Sequence, residues 1–492
     1  MKTSHPKILP ALCLTEMWER FGYYTVQGLL VLYMSKAFGF TDNDSYTIMG
    51  VFSALAYISP FVGGSLADRL LGFKNAVVWG GLFLCAGYAM LAFAGPRQFY
   101  LSLATIVVGN GLFKPNISSL LGALYEPGDP KRESGFTIFY IGINVGALLS
   151  SIFSGLIKDH FGWHTAFGLA SIGLIFGLVI FIFSLKKMID LKRHQLEASS
   201  QVSKLTQGMM LFGALISIGL ISLLLRSTLL AKWFLPAMGA ALLVFLLVLI
   251  LKQEAQDRRR LLTLTILILS SIVFWMLFLQ MFFSANLFID RLVDRQVSAF
   301  TIPILHKMVG PFIIPTTVFY GLESVFVMIL GPAFAWSWQT LSYSNKNPSP
   351  FLKFILSIGF AGLCFFTLGL GTHYAYANHL VSPFWFLLSY LFLTIGELLL
   401  SPIGLSAVTT LAPRKWVGMM MGVWFVATGF GGQFAGWLAQ LSNIPQSITS
   451  LDAQLAIYRH AFMDFAYIAF GIMALLFVIY LFLRKLFPTE QV

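Results

Sequence analysis

Long apolar stretches without a single charged side chain recur through this chain and leave few folds open to it. No Asp, Glu, Lys or Arg occurs between Lys74 and Arg97, Glu133 and Lys158, Lys204 and Arg226, Lys232 and Lys252, Arg260 and Asp290, or Asp464 and Arg484. A helix of about 20 such residues crosses the hydrocarbon core of a bilayer with every backbone polar group bonded internally. With 58% hydrophobic and 11% charged residues among 492, there is far more apolar side chain than a soluble core needs. Soluble enzymes, disordered chains and collagen are excluded.

Adding the spans that polar residues interrupt, helices are expected near 12–36, 47–67, 76–95, 99–123, 135–157, 165–185, 207–225, 233–251, 261–289, 312–341, 351–372, 384–411, 416–441 and 461–483. The fold class is therefore an all-α membrane protein of about 14 transmembrane helices. The most polar stretch, Lys186 to Lys204, and the next, Gln253 to Arg260, bracket a two-helix hairpin. Six helices precede it and six follow, as in carriers whose two bundles move around a midplane site. The expected organisation is an N-terminal six-helix bundle at 1–185, linkers and an inserted hairpin at 186–260, and a C-terminal six-helix bundle at 261–492.

A formal net charge of +12, from 32 Lys and Arg against 20 Asp and Glu, could in principle mark a nucleic-acid surface. No basic stripe on a polar domain supports that, and no nucleic-acid partner is expected. Most of the basic residues, among them Lys2, Lys7, Arg69, Lys74, Lys186, Lys187, Arg258, Arg259, Arg260, Arg414, Lys415, Arg484 and Lys485, fall in loops that are cytoplasmic if both termini are. The first 15 residues contain no apolar segment followed by a cleavage site, so the N-terminus is expected to be retained on that side. Cys13, Cys85 and Cys364 lie in apolar stretches without paired spacing, which argues against disulfides and thiolate metal sites.

Charges that remain at membrane depth cost roughly 2.5–3.5 kcal/mol each on insertion scales and usually face a cavity. Six stand there: Glu16, Glu19, Arg20, Lys114, Glu323 and Glu397. Glu16, Glu19, Arg20, Tyr23, Tyr24 and Gln27 fall on one face of the first helix. A local Glu16–Arg20 pair that only aids packing would leave the second carboxylate unexplained, whereas a functional cavity explains the whole stripe. Lys114 precedes Pro115, with Asn110 and Ser118 four residues to either side, which places an amine in a polar lining. Tyr140 and Asn144 repeat that spacing on the fifth helix; Asn144 reads equally as a bond joining two helices or as a ligand contact. Glu397 stands before Ser401 and Pro402, a carboxylate beside a helix break that could meet an ammonium group. Glu323 in an otherwise apolar helix is read as functional, the alternative being a residue near the outer mouth. Four acids against two bases would leave a net −2 in a low dielectric, so proton coupling is physically available.

Nucleotide-driven transport, acyl transfer and zinc hydrolysis lack their signatures here: there is no Walker-type loop, no Gly-x-Ser-x-Gly and no His-Glu-x-x-His. The protein is not expected to be an enzyme. Gly429, Gly431, Gly432 and Gly436 most simply permit close helix packing, and His373 and His379 read as loop residues.

Several of these segments resemble the proton-coupled oligopeptide transporter family of the major facilitator superfamily, in its bacterial form. Glu16-Met-Trp-Glu19-Arg20-Phe-Gly-Tyr23-Tyr24 is similar to the family's ExxER signature. Gly63-Gly-Ser-Leu-Ala-Asp68-Arg69, Gly111-Leu-Phe-Lys114-Pro-Asn, Phe139-Tyr140-Ile-Gly-Ile-Asn144 and Gly396-Glu397-Leu-Leu-Leu-Ser401-Pro-Ile-Gly-Leu-Ser resemble further family motifs in the right order. The resemblance implies the major facilitator fold, a multi-pass place in the bacterial inner membrane, and proton-driven import of di- and tripeptides or peptide-like molecules by a monomer. It implies no cofactor beyond the proton. Glu16, Glu19 and Arg20 would couple proton binding to the peptide carboxylate, helped by Lys114; Glu397 would meet the amino group. Tyr23, Tyr24, Gln27, Tyr57, Asn144, Gln280, Ser401 and Trp424 would complete the substrate site.

Three positions depart from that pattern. Gln27 and Leu279 stand where many members carry an arginine and a glutamate, so both partners of one ion pair are missing together. Glu323 stands where the eighth core helix often has Asn-Pro. It is expected either to supply the missing titratable site or, with Glu397, to enlarge the acidic end of the pocket in favour of cationic ligands. An atypical member carrying a non-peptide amine or drug, with altered proton coupling, is the alternative.

Overall fold

The computed structural model describes residues 5–125, 129, 131–188, 204–302, 307–344 and 346–486. The expected polar linker is outside these at 189–203. Helices follow one another as α1 (Leu9–Ala37), α2 (Asp42–Leu66), α3 (Phe73–Ala92), α4 (Phe99–Ala123), α5 (Lys131–Met188), α6 (Lys204–Arg226) and α7 (Thr228–Leu251). They continue as α8 (Ala255–Phe278), α9 (Ser284–Leu292), α10 (Thr316–Tyr343), α11 (Pro350–His373), α12 (Phe384–Leu411), α13 (Val417–Ala439) and α14 (Leu451–Leu486).

Ten runs among the described residues are long and apolar enough to cross a membrane. The α5 run has 58 residues, roughly 87 Å if straight, and bends at Gly162, whose φ of 85° suits a residue without Cβ. Its two arms are the separate helices expected near 135–157 and 165–185. Helices α1, α4 and α13 are not among the ten. The first two carry Glu16, Glu19, Arg20 and Lys114, and these charges lower the very signal that marks a span.

Two expected helices differ in form. The one expected over 261–289 is interrupted by a tight 3-10 turn at Leu279–Phe282 and resumes at Ser284 as α9. The one expected from 312 begins at Thr316, because Pro315 sits at its cap and the preceding residues are extended. There the chain departs from all-α: β1 (Gln296–Val297) pairs antiparallel with β4 (Phe312–Ile313), and β2 (Phe300–Ile302) with β3 (Lys307–Val309). Alternating apolar residues in that stretch serve a strand as well as a helix, and Gly310-Pro311 rules out the helix.

The chain divides into two compact units. The first comprises Met1–Leu30, Thr47–Leu243 and Thr428–Gln433; the second Val31–Tyr46, Val244–Ala427 and Phe434–Val492. In the first, α3 packs on α4 and α5, and α6 packs on α4. Close approach depends on absent side chains: a Cβ on Gly63 would strike the Gly111 carbonyl, and one on Gly432 would meet Ser53 at 2.8 Å. In the second, α11 packs on α8, α12 and α14, while α10 packs on α12. A core of Phe288, Phe386, Tyr458 and Phe462, in stacked, tilted and edge-to-face pairs, fills its interior.

Candidate functional site

In the first unit the polar stripe of α1 is held within the protein. The side chains of Glu16, Glu19 and Arg20 are 3%, 0% and 4% exposed. Arg20 Nε lies 3.3 Å from Glu16 Oε1 and 2.5 Å from Glu19 Oε2. One guanidinium therefore serves two carboxylates, and its Nη2 donates to Asn110 Oδ1 on α4 at 3.5 Å. Asn110 is itself oriented by a 2.7 Å bond to the Ala56 carbonyl on α2. Gly146 on α5 sits against the Met17 carbonyl and Arg20 Cβ, so the absence of a side chain there lets α5 approach α1 closely.

Lys114 on α4 completes the cluster. Its ammonium lies 5.1 Å from the centre of the Tyr57 ring and acts electrostatically on Glu16, while Arg20 lies 5.0 Å from the Tyr23 ring. Tyr23 and Tyr24 stack edge to face at 5.8 Å. Two acids and two bases thus balance in one buried region, yet Glu16 Oε2 and Glu19 Oε1 have no protein partner. Such a set can receive a carboxylate at its basic groups and a proton at its acidic ones. Gln27, 1% exposed, continues the stripe with its amide oxygen unpartnered. Asn144 Nδ2 donates to the Tyr140 carbonyl of its own helix at 2.9 Å.

The second unit builds a different site. Glu323 on α10 and Glu397 on α12 act on each other electrostatically, and Ser324 Oγ donates to Glu323 Oε2 at 3.3 Å. No described Lys or Arg is among the groups acting on either carboxyl. Glu397 Oε2 and the hydroxyl of Ser401 are buried without a partner. Trp424 is 3% exposed and lies over Gly404, beside Phe354. Gln280 is fully buried, donating to the Ala435 carbonyl at 2.8 Å and accepting from Ser284 at 2.7 Å. Both ends of that amide brace the break between α8 and α9. Leu279, in the same turn, is likewise fully buried.

Sequence reasoning passed over a further buried pair in this unit. Asp42 accepts from both terminal nitrogens of Arg291 at 2.7 and 2.8 Å, and from the Ile444 amide at 3.3 Å. Beside it, Lys36 bonds Asp290 at 2.6 Å. These residues read as loop charges because their partners lie some 250 positions away and no local spacing joins them. Asn110, by contrast, was signalled by its place four residues before Lys114.

The sequence profile of the POT family matches residues 74–454. The chain belongs to the POT family. Among its relatives, the dipeptide and tripeptide permease A of Serratia proteamaculans (strain 568) is 33% identical over 480 residues, covering 96% of this chain and 90% of that one. The peptide transporter YePEPT of Yersinia enterocolitica subsp. palearctica is 35% identical over 461 residues, covering 88% and 87%. Among solved structures, tetrameric PepTSo2 superposes with a TM-score of 0.83 at 28% identity, covering 97% of this chain and 98% of that one. The peptide transporter POT in complex with sulfate gives 0.79 at 30% identity, covering 97% and 96%. The architecture is accordingly the major facilitator fold of POT transporters, with an inserted hairpin formed by α6 and α7. Gln27 and Leu279 are both buried and neutral.

Proposed function

We propose that this protein is a symporter that imports di- and tripeptides with protons by alternating access. The observation that carries the reading is the buried cluster of the first unit, where Arg20 and Lys114 stand among two carboxylates that each keep one oxygen without a partner among the described residues. Such a cluster suits the carboxylate end of a zwitterionic peptide. Arg20 and Lys114 take the peptide carboxylate, Glu397 its ammonium, and Tyr23, Tyr24, Gln27, Tyr57, Asn144, Ser401 and Trp424 shape the site. Protonation of Glu16 or Glu19 loosens its hold on Arg20 and frees the guanidinium for the peptide. Family membership and the names of the relatives support the substrate class. The proton is the coupling ion, no cofactor or covalent chemistry is involved, the chain works as a monomer, and both termini face the cytoplasm of a bacterial inner membrane.

Uptake of labelled dialanine into proteoliposomes, with and without an inward proton gradient and alongside Glu19→Gln, tests this. Gradient-driven uptake that Glu19→Gln abolishes is expected. Folded protein that takes up no dialanine would overturn the peptide reading.

A further inference from the structure

The rest of the protein covers little of the inserted hairpin: in the membrane-crossing part of α6 17% of residues are buried, against 56% in α2 and α3. The helix is anchored near its start, where Met210 packs against Ala67, Leu71, Ala76 and Leu112. Around and beyond that anchor, α2, α3, α4 and α6 enclose a cavity of about 440 Å³ within the first unit. That volume falls in the range of small-molecule sites, roughly 300–1,000 Å³. Leu55 and Leu66 on α2, Phe83 on α3, Val108 on α4 and Leu211 and Ile221 on α6 are among its walls.

Chemistry and length define what fits. The lining hydroxyls are committed to their own helices: Ser59 Oγ donates to the Ala56 carbonyl at 3.4 Å and Ser217 Oγ to the Gly213 carbonyl at 2.9 Å. No Asp, Glu, Lys or Arg is among the described lining residues. A polar ligand would lose its water there with little return, whereas hydrocarbon would gain contacts on every wall. Along α6 the lining runs from Gln207 to Ile221, roughly 21 Å at 1.5 Å per residue. One leaflet contributes about 15 Å, half of a bilayer's hydrocarbon core. Val62 and Leu220, both in the lining, are 53% and 63% exposed, so the cavity opens sideways at membrane depth, onto lipid.

Charge marks one end. Helix α6 begins at Lys204, a turn before Gln207, and α3 carries the exposed Lys74 in its first turn, shortly before Trp79 of the lining. Basic residues at one end of a slot as long as a lipid chain complement an anionic, phosphate-bearing headgroup. We propose that this cavity holds one acyl chain of an anionic phospholipid, with its headgroup at the Lys74 end. The inserted hairpin then has a task of its own, since α6 supplies the outer wall of a lipid site whose inner walls are α2, α3 and α4.

The test uses the purified full-length protein in detergent, phosphatidylglycerol and phosphatidylcholine with the same acyl chains, and two variants of α6. Gly213 lines the cavity and Gly219 does not, and a Cβ on either would meet no atom within 4 Å. Gly213→Leu therefore fills the cavity without displacing protein, and Gly219→Leu is its control; both replace a helix-interior glycine by a better helix former. Mass spectrometry after exhaustive detergent washing should find one phosphatidylglycerol held per chain in the unsubstituted protein and in Gly219→Leu, and roughly tenfold less in Gly213→Leu. Phosphatidylcholine should be held roughly fivefold less than phosphatidylglycerol. Returning phosphatidylglycerol to stripped protein should raise the melting temperature of the unsubstituted chain and of Gly219→Leu, but not that of Gly213→Leu. Undiminished retention in Gly213→Leu, equal loss in both variants, or equal retention of the two lipids would overturn the proposal. So would folded, unsubstituted protein that holds no phosphatidylglycerol and shows no shift in melting temperature.

Discussion

The α1–α4 cluster and the α10–α12 pair both bury two glutamates, and they dispose of the charge in opposite ways. In the first, Arg20 stands between Glu16 and Glu19 with Lys114 nearby, so ionised groups compensate one another. In the second, Glu323 and Glu397 act on each other and form no salt bridge with a described Lys or Arg. Desolvation is the same problem in both regions; what differs is whether a described basic side chain stands beside the carboxyls.

Substitutions that remove compensation should separate the two regions by size of effect. Arg20→Ala should be the most damaging, leaving two buried carboxylates unpaired at a cost of about 3–5 kcal/mol in denaturant unfolding of the detergent-solubilised protein. A loss below about 1 kcal/mol would break the comparison, since it would mean the first cluster is not held by its charges. Glu19→Gln should cost roughly 1.5–3 kcal/mol by weakening one charged hydrogen bond, with uptake lost. Lys114→Met should cost about 0.5–2 kcal/mol, the worth of a partly desolvated cation over Tyr57, and should weaken dialanine binding more than it lowers the melting temperature. Glu323→Gln and Glu397→Gln should be the mildest, within about 1 kcal/mol, because neither carboxyl holds a salt bridge with a described Lys or Arg that the substitution would break. Destabilisation of either variant matching that of Arg20→Ala would break the comparison from its other side.

The first cluster was legible in large part because its spacing is local. Glu16, Glu19, Arg20 and Tyr23 declare a common face through the 3.6-residue period, and Asn110 and Lys114 do so on α4. Asn144 was legible only as a polar residue in a span: its period could not tell that the amide would turn back to Tyr140. Gln280 stood out as polar among apolar neighbours, but its bonds to Ala435 and Ser284 exist only because the helix breaks at Phe283. The strands over 296–313 escaped notice because a short apolar stretch does not distinguish strand from helix.

The sequence by itself determined that this chain crosses a membrane many times, which loops carry the positive charge, and which six ionisable residues lie at depth, because hydropathy and helical period are local properties of a chain. Only the tertiary structure decided which of those residues meet. Glu323 and Glu397 belong to different helices, as do Asp42 and Arg291, and whether a buried acid finds a base, a carbonyl or another acid depends on the packing of α10 on α12 rather than on anything near it in the chain. Long-range pairing sets the protonation of a buried group, and no local pattern records it.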